Sequence, residues 1–424
     1  MIDYAATLDP RNGLVASSSL TPPRPPEHPL WQGLAELSPQ RTGLTGPPPI
    51  VLAAHIVGAY GTTRADALPR AAGEAVERYA LLPCKTEGYV ARAEDLTEAI
   101  CFTQAGAELA DPAAQARPLR WYPAHRMTDQ APAYVPAGLV DYPARSEDAV
   151  GFDPSPSGAA SGPTLEHALL SAVLELIERD ALITAWTRQL PLPLVDTQKL
   201  AEITTSSLAR QQCRRMLRAA RSANVSPLLA HIPTGLPDTT CMVGIIVDTA
   251  IRPLAAVGAS AAGDPAVSGA KALLEALQIR TALRLVRERH RRPHTNAPRT
   301  DLERAQYFAS PIGVAAVTDW IAHFTAPVQV PTAARHSPDL HTLVRALHRQ
   351  GVTLYVVSLT HRLPPALRAM GWHAVKAVPV GLQALRMDET HNYNWNHTRI
   401  ACTPQRTGLT PLRHTRLHVP HPLI

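Results

Sequence analysis

Gly158-Ala-Ala-Ser-Gly162-Pro-Thr-Leu-Glu-His-Ala-Leu-Leu-Ser171-Ala-Val-Leu-Glu175-Leu-Ile-Glu178-Arg179-Asp-Ala-Leu-Ile-Thr-Ala-Trp186 is the stretch from which the rest of the chain can be read. Two glycines bracket a loop, and Pro163 suits a first helical position. Leu165, Ala168, Leu169, Ala172, Val173, Leu176 and Ile177 then recur at helical spacing, and apolar residues fill most of the remaining face. The spacing therefore predicts a helix buried nearly all round. Glu175 and Glu178 share its narrow polar stripe, with Ser171 one turn earlier. A carboxylate among apolar neighbours is costly unless it is paired, hydrogen-bonded or bound to a cation, so two on one stripe mark a site.

The pattern occurs twice more. Upstream it is Gly61-Thr-Thr-Arg-Ala-Asp-Ala-Leu-Pro-Arg70-Ala-Ala-Gly-Glu74-Ala-Val-Glu77-Arg78, and downstream Gly263-Asp-Pro-Ala-Val-Ser-Gly-Ala-Lys271-Ala-Leu-Leu-Glu275-Ala-Leu-Gln278-Ile-Arg280. The leading glycines are evenly spaced, since 162 − 61 = 101 and 263 − 162 = 101, and Gly-Ala precedes each copy at Gly58, Gly158 and Gly258. A period this long is not that of a stacked repeat array. It predicts one layered core made from three helix-bearing segments whose polar stripes converge. Convergence gathers Glu74, Glu77, Glu175 and Glu178, the pair Glu275 and Gln278, and the arginines Arg78, Arg179 and Arg280. Carboxylates from two helices suit Mg²⁺, which favours oxygen ligands and retains water and phosphate oxygens. Arginines and amides beside them suit phosphate. Read from the residues alone, this is a Mg-nucleotide site of a type other than the P-loop.

At E-A-V-E-R-Y (74–79), S-A-V-L-E-L-I-E-R-D-A-L (171–182) and L-L-E-A-L-Q-I-R (273–280) the chain resembles YcaO-domain proteins, with all three motifs in order and at matching spacing over roughly residues 50–424. The resemblance implies an α+β fold, with helices packed on mixed or antiparallel sheets and an ATP site between three pseudo-repeated helix segments (61–82, 158–182 and 258–283). It implies Glu74, Glu77, Glu175 and Glu178 as magnesium ligands, and Arg70, Arg78, Ser171, Arg179, Lys271, Glu275, Gln278 and Arg280 around ATP. Arg70 departs from the small hydroxyl residue common at that point of the family; it is positioned either to contact phosphate or to pair with Glu74. Azoline-forming members tend to end in alternating prolines that enter the active site. In the tail 413–424, Pro420 and Pro422 keep that spacing and are the catalytic candidates, while Leu-Ile replaces the final proline.

The activity implied is ATP-dependent conversion of Cys, Ser or Thr in a ribosomally made precursor peptide to thiazoline or oxazoline, by phosphorylation of the backbone amide oxygen. Two alternatives stand beside it. One is a YcaO enzyme using an external nucleophile to form a thioamide or amidine, and the other is a non-catalytic scaffold or substrate-binding subunit. The resemblance also implies a leader-binding E1-like or ThiF-like partner protein, room for a dehydrogenase, and a homodimer within a larger complex.

Composition narrows the class further. Hydrophobic residues make up 45%, aromatics only 5%, and there are 41 prolines, which predicts an Ala/Leu/Val core with rigid connections. No apolar run approaches the roughly 20 residues needed to span a membrane, and the N-terminus lacks a secretory layout, so no membrane association and a cytoplasmic location are expected. The five cysteines are dispersed, which argues against a disulfide framework or a zinc site. A net charge of +6 without a recognised module gives no case for nucleic acid. The Pro-rich segment 1–45 reads as an extended arm, ahead of a domain over 46–424. Strands are expected over 49–57, 227–233, 241–248, 254–257, 352–359 and 373–380, and as a pair around Trp121, Tyr122 and Tyr134. Helices are expected over 199–224, 338–350 and 365–370, and Pro69 is expected to kink or restart the first repeat helix.

Overall fold

A computed structural model describes residues 2–38, 55–84, 86–97, 99, 109–248, 253–290, 296–327, 338–412 and 419–424. Strands β1 (Val15–Thr21), β2 (Trp31–Leu37) and β3 (Ile56–Gly61) form one antiparallel sheet in that order. Strands β4 (Tyr89–Ala91), β5 (Leu119–Arg126), β6 (Pro132–Pro136) and β7 (Ala159–Gly162) belong to a second. Strands β8 (Leu228–Ile232), β9 (Thr240–Asp248) and β10 (Leu254–Ala262) make a third, ordered β10-β9-β8. Strands β11 (Thr353–Ser358) and β12 (His373–Val380) complete the second sheet as β4-β5-β11-β12-β7, with β6 on β5. Among the described residues every pairing between these twelve strands is antiparallel.

Each sheet ends in one repeat strand: β3, β7 and β10 are edges. A tight turn follows each, and then a helix. The first repeat helix (Arg64–Leu81) is capped by Thr63, whose side chain accepts from Asp66 N–H. The hub helix (Leu165–Arg188) is capped by Thr164 accepting from His167, and the third repeat helix (Pro265–Arg289) by Asp264 accepting from Ala266. Such caps satisfy backbone donors that a helix leaves open at its start. Gln189, in the left-handed region at φ 49°, ends the hub helix. Pro69 does not interrupt its helix, which runs unbroken from Arg64 to Leu81.

The packing closes a cycle. The first helix lies on β2 and β3 and touches β7; the hub helix lies on β7 and β12 and touches β10; the third lies on β10 and β9 and touches β3. Glycine makes the closest of these approaches possible. A Cβ on Gly258 would stand 2.4 Å from the Ala276 nitrogen and 2.7 Å from the Glu275 Cβ, so any side chain there would push the third helix off its strand. Ser161 Oγ donates to the Gly73 carbonyl at 2.9 Å and stitches β7 to the first helix. The hub helix buries Leu176, Ile177, Leu182, Ile183 and Trp186, and Trp186 meets Trp320 edge-on with ring centres 5.2 Å apart. Each such side chain contributes at most about 1.5–3 kcal/mol from area removed from water.

Residues 1–45 are not an arm over their described part. Residues 15–21 and 31–37 are β1 and β2, and Leu14, Val15, Ala35 and Leu37 are buried. The Pro-rich run only connects two strands, and its composition masks their alternation; residues 39–45 lie outside the described residues. Of the strand expected over 49–57, residues 49–54 are likewise outside, and β3 begins at Ile56. The helix expected from 199 starts at Ser207, because Ser206 caps it by accepting from Ala209 N–H. The return strand expected over 254–257 extends to Ala262, pairing along the full length of β9. β5 and β6 are the aromatic pair, with Tyr122 opposite Val135. Among the described residues no helix is long and apolar enough to cross a membrane.

Candidate active site

The cycle of helices turns three polar stripes toward one place. On the first helix Arg78 Nε donates to Glu74 Oε1 at 2.8 Å and lies 3.9 Å from Glu77. On the hub helix Arg179 donates to Glu178 at 2.7 Å and to Glu175 at 3.3 Å. Arg179 also reaches across to Glu275 of the third helix, 3.9 Å away, and the Ala259 N–H fixes that carboxylate at 2.7 Å. Both arginines and all five carboxylates are partly buried rather than sealed.

Electrostatics record the same convergence. Burial pushes the Glu77 carboxyl well above its usual range, and Glu74 on its own helix and Glu175 on the hub add to the push. Burial takes Glu178 up to about 8; Arg179 opposes this, while Glu275 and Glu175 reinforce it. Glu275 is raised by burial and held back by Arg179 and the Ala259 N–H. For Arg78 and Arg179 burial works against the charge, but Glu74 with Glu77, and Glu178 with Glu175, outweigh it and hold both guanidiniums above their usual range. Five carboxylates thus crowd a site whose arginines do not neutralise them. A further cation fits this donor set. Among the described residues no three Asp, Glu, His or Cys side chains close around one point as a metal cage. Mg²⁺ is usually held by one or two carboxylates together with water and substrate oxygens, and the paired carboxylates of the first and hub helices supply ligands of that kind.

The other expected residues divide. Arg70 pairs with Asp66 at 2.9 Å, not with Glu74, so Glu74 remains with Arg78. Lys271 opens to solvent; surrounding protein and the charge of Arg70 lower its ammonium, while Glu178 favours it. Ser171 and Gln278 are partly buried on the stripes of their helices. Arg280 does not join the cluster: it is buried and faces Asp248 at the end of β9, 3.6 Å away. The reason is one residue of spacing. Arg78 and Arg179 directly follow the second carboxylate of their motifs, whereas Ile279 holds that place in the third and Arg280 comes one later. At about 100° of rotation per residue, that offset points its side chain to another face.

The end of the chain is built into the core. Pro420, His421, Pro422 and Leu423 are buried, and Trp186 Nε1 donates to the Val419 carbonyl at 3.4 Å. The His421 N–H donates to Glu389 at 3.1 Å, and its carbonyl accepts from the fully buried Arg304 at 3.2 Å. Its ring Nε2 stands 2.6 Å from the Arg386 carbonyl, an oxygen that can only accept, so Nε2 carries the hydrogen. Burial, then Arg304, Arg386 and Arg179, push its pKa well below the usual range and keep the ring neutral. Arg179 is thus close enough for its charge to be felt at the tail.

Two residues with no role in the sequence reading stand out. Asp180, next to Arg179, is clamped by Arg399 and Arg406. Lys376 on β12 is buried beside the cluster; burial lowers its ammonium to about 8, while Glu175 and Glu77 pull the other way. Their partners lie some two hundred residues away in sequence, so no local pattern announces them.

Three strand-turn-helix units that bring carboxylates and arginines together without a P-loop define a class of nucleotide-binding fold. The family model described as YcaO cyclodehydratase, ATP- and Mg²⁺-binding, matches residues 58–383, and the chain belongs to the YcaO family. ATP and Mg²⁺ are therefore the cofactors of its family. Solved structures share the fold. A heterocyclase in complex with substrate and cofactor is 19% identical with a TM-score of 0.71, over 99% of this chain and 56% of that one, so the chain spans little more than half of that protein. YcaO from Methanopyrus kandleri, bound with AMPPCP and Mg²⁺, is 19% identical with a TM-score of 0.58, over 88% of this chain and 87% of that one. The E. coli microcin synthetase McbBCD complex with pro-MccB17 bound contains a chain 14% identical with a TM-score of 0.60, over 86% of this chain and 87% of that one. No curated protein sequence matches the chain.

Proposed function

We propose that the chain is an ATP-dependent cyclodehydratase that forms thiazoline or oxazoline rings from Cys, Ser or Thr of a ribosomally made peptide. The observation that carries this reading is the meeting of Glu74, Glu77, Glu175, Glu178 and Glu275 with Arg78 and Arg179 from three helices, in a chain of the YcaO family. The side-chain sulfur or oxygen of the peptide adds to the preceding carbonyl carbon, and the oxyanion formed takes the γ-phosphoryl group of ATP and releases ADP. Phosphate then leaves with that oxygen as the amide nitrogen loses its proton and the C=N bond forms. Of the two protons given up, one stays on phosphate and one goes to solvent. Arg78 and Arg179 offset charge developing on the transferred group. Mg²⁺, when bound by the carboxylates, supplies further charge neutralisation on the phosphate oxygens. Pro420 and Pro422 shape the site from the tail.

The microcin synthetase neighbour is a complex with a peptide bound, which supports a peptide substrate and partner subunits here. We propose that these partners include a leader-binding E1-like or ThiF-like protein and a dehydrogenase, around a homodimer of this chain. Use of ATP and a ribosomal peptide favours the cytoplasm. Arg70 bonded to Asp66 leaves the Glu74–Arg78 pair intact, so it gives the scaffold reading no support. Incubation of the chain and its leader-binding subunit with precursor peptide and Mg-ATP is expected to remove the mass of one water per ring and release ADP and phosphate. Unchanged peptide mass with every component present, or replacement of oxygen by sulfur, would refute the azoline assignment.

A further inference from the structure

His421 stands between Pro420 and Pro422 in the buried tail and is itself 4% exposed. One hydrogen bond fixes its ring, from the Nε2 hydrogen to the Arg386 carbonyl at 2.6 Å. Nδ1 is also buried, and it has no hydrogen-bond partner. In the neutral ring that atom is a bare acceptor, which a fold tolerates at modest cost. In the protonated ring it becomes a buried donor with no acceptor, on a cation out of reach of water.

The charged groups facing the ring are Arg304 from the helix Asp301–Phe308, Arg386 and Glu389 from the segment after β12, and Arg179 from the hub helix. Glu389 is the one counter-charge, with Oε1 3.8 Å from Nε2. Its carboxylate is already shared between two buried guanidiniums: Oε1 accepts from Arg304 at 2.8 Å and Oε2 from Arg386 at 2.6 Å. A proton on His421 would therefore set a third cation beside a single carboxylate.

We propose that His421 is a pH-sensitive latch: residues 419–424 stay in the core only while its ring is neutral, and protonation of the ring releases the tail. Release gives up the bond from Trp186 to the Val419 carbonyl, both backbone bonds of His421 to Glu389 and Arg304, and the place of Leu423 in the core around the hub helix. The latch stands on this packing; that it governs ring formation rests on the cyclodehydratase reading. A released, solvated imidazole takes up its proton at about pH 6.5. In the docked tail, burial and then Arg304 keep the ring neutral to well below that, although the Arg386 carbonyl favours the charge. The released state thus binds one more proton as pH falls below about 6.5, and docking weakens there by up to about tenfold per pH unit.

Hydrogen exchange of the full chain, read by mass spectrometry on a peptide holding residues 419–424, follows docking through the His421 N–H. Corrected for the intrinsic rate at each pH, protection in the wild type is expected to be level from about pH 7.5 to 6.5 and to fall roughly tenfold per unit from there to about pH 5. His421→Gln keeps a side-chain N–H for the Arg386 carbonyl and cannot titrate. With Glu389 and the arginines unchanged, its protection should be level over the whole range. Level protection in the wild type, or the same fall in His421→Gln, would overturn the proposal. Should glutamine leave the tail unprotected even at about pH 7.5, the wild-type profile decides alone: a one-proton fall below about pH 6.5 supports the latch, and a level profile overturns it. The measurement needs no peptide substrate. A chain that never dehydrates peptide therefore overturns the cyclodehydratase reading, while the latch stands or falls on its own exchange profile.

Discussion

Asp180→Ala is expected to cost the folded chain about 3–5 kcal/mol, the loss typical of breaking a buried ion pair from one side. Asp180 is 2% exposed and sits on the hub helix directly after Arg179. It accepts from Arg399 Nε and Nη2 at 3.1 and 2.8 Å, from Arg406 at 3.2 Å, and from the Gln383 backbone N–H at 2.9 Å. Burial alone would raise its pKa, yet Arg399 and Arg406 outweigh that and hold it below the usual carboxylate range. Removing the carboxylate leaves the Arg399 guanidinium, itself 6% exposed, with Gln350 as its remaining side-chain partner. The change also leaves the Gln383 N–H, just after β12, without its acceptor. Urea unfolding should show a lower midpoint at an unchanged slope. A loss under about 1 kcal/mol would mean that the clamp is not what joins the hub helix to the C-terminal segments.

Deletion of Pro420–Ile424 carries the second large effect. Leu423 belongs to the core around the hub helix, and the His421 carbonyl holds one arm of the buried Arg304. Arg304 is also bound to Glu389 and to the Arg386 and Met387 carbonyls, so the local fold keeps most of its contacts without the tail. The expected result is a folded chain that still binds Mg-ATP but forms rings about 100-fold more slowly, since small misplacement near reacting groups has effects of that order. Ring formation at the full rate by the shortened chain would remove the tail, and with it Pro420 and Pro422, from the mechanism.

The centre of the fold was legible in the sequence because its signals are local. Gly61, Gly162 and Gly263 mark three turns, and the Glu-x-x-(Glu/Gln) pairs sit on helices whose other faces are apolar, so a shared site follows from spacing alone. The place of Arg280 is also legible, in its one-residue offset from Arg78 and Arg179. Asp180 and Lys376 were not. Asp180 stands in a buried run and Lys376 in the nearly continuous apolar strand H-A-V-K-A-V-P-V, and neither has its partners nearby in sequence. The first sheet was hidden for a different reason. β1 is an edge strand with a mostly exposed face, V-A-S-S-S-L-T, and the proline-rich connection after it dominates the composition.

The most direct test of the central claim, that three helices build one Mg-nucleotide site, is calorimetric titration of ATP into the wild type and Glu178→Gln, with and without Mg²⁺. Glu178 lies where the hub stripe meets Glu275 and Arg179, and its replacement by the amide keeps the shape while removing a carboxylate that a cation would bind. The account predicts Mg²⁺-dependent binding by the wild type and affinity weakened at least about tenfold in the variant. Equal affinities in the two proteins, or ATP binding indifferent to Mg²⁺, would contradict it.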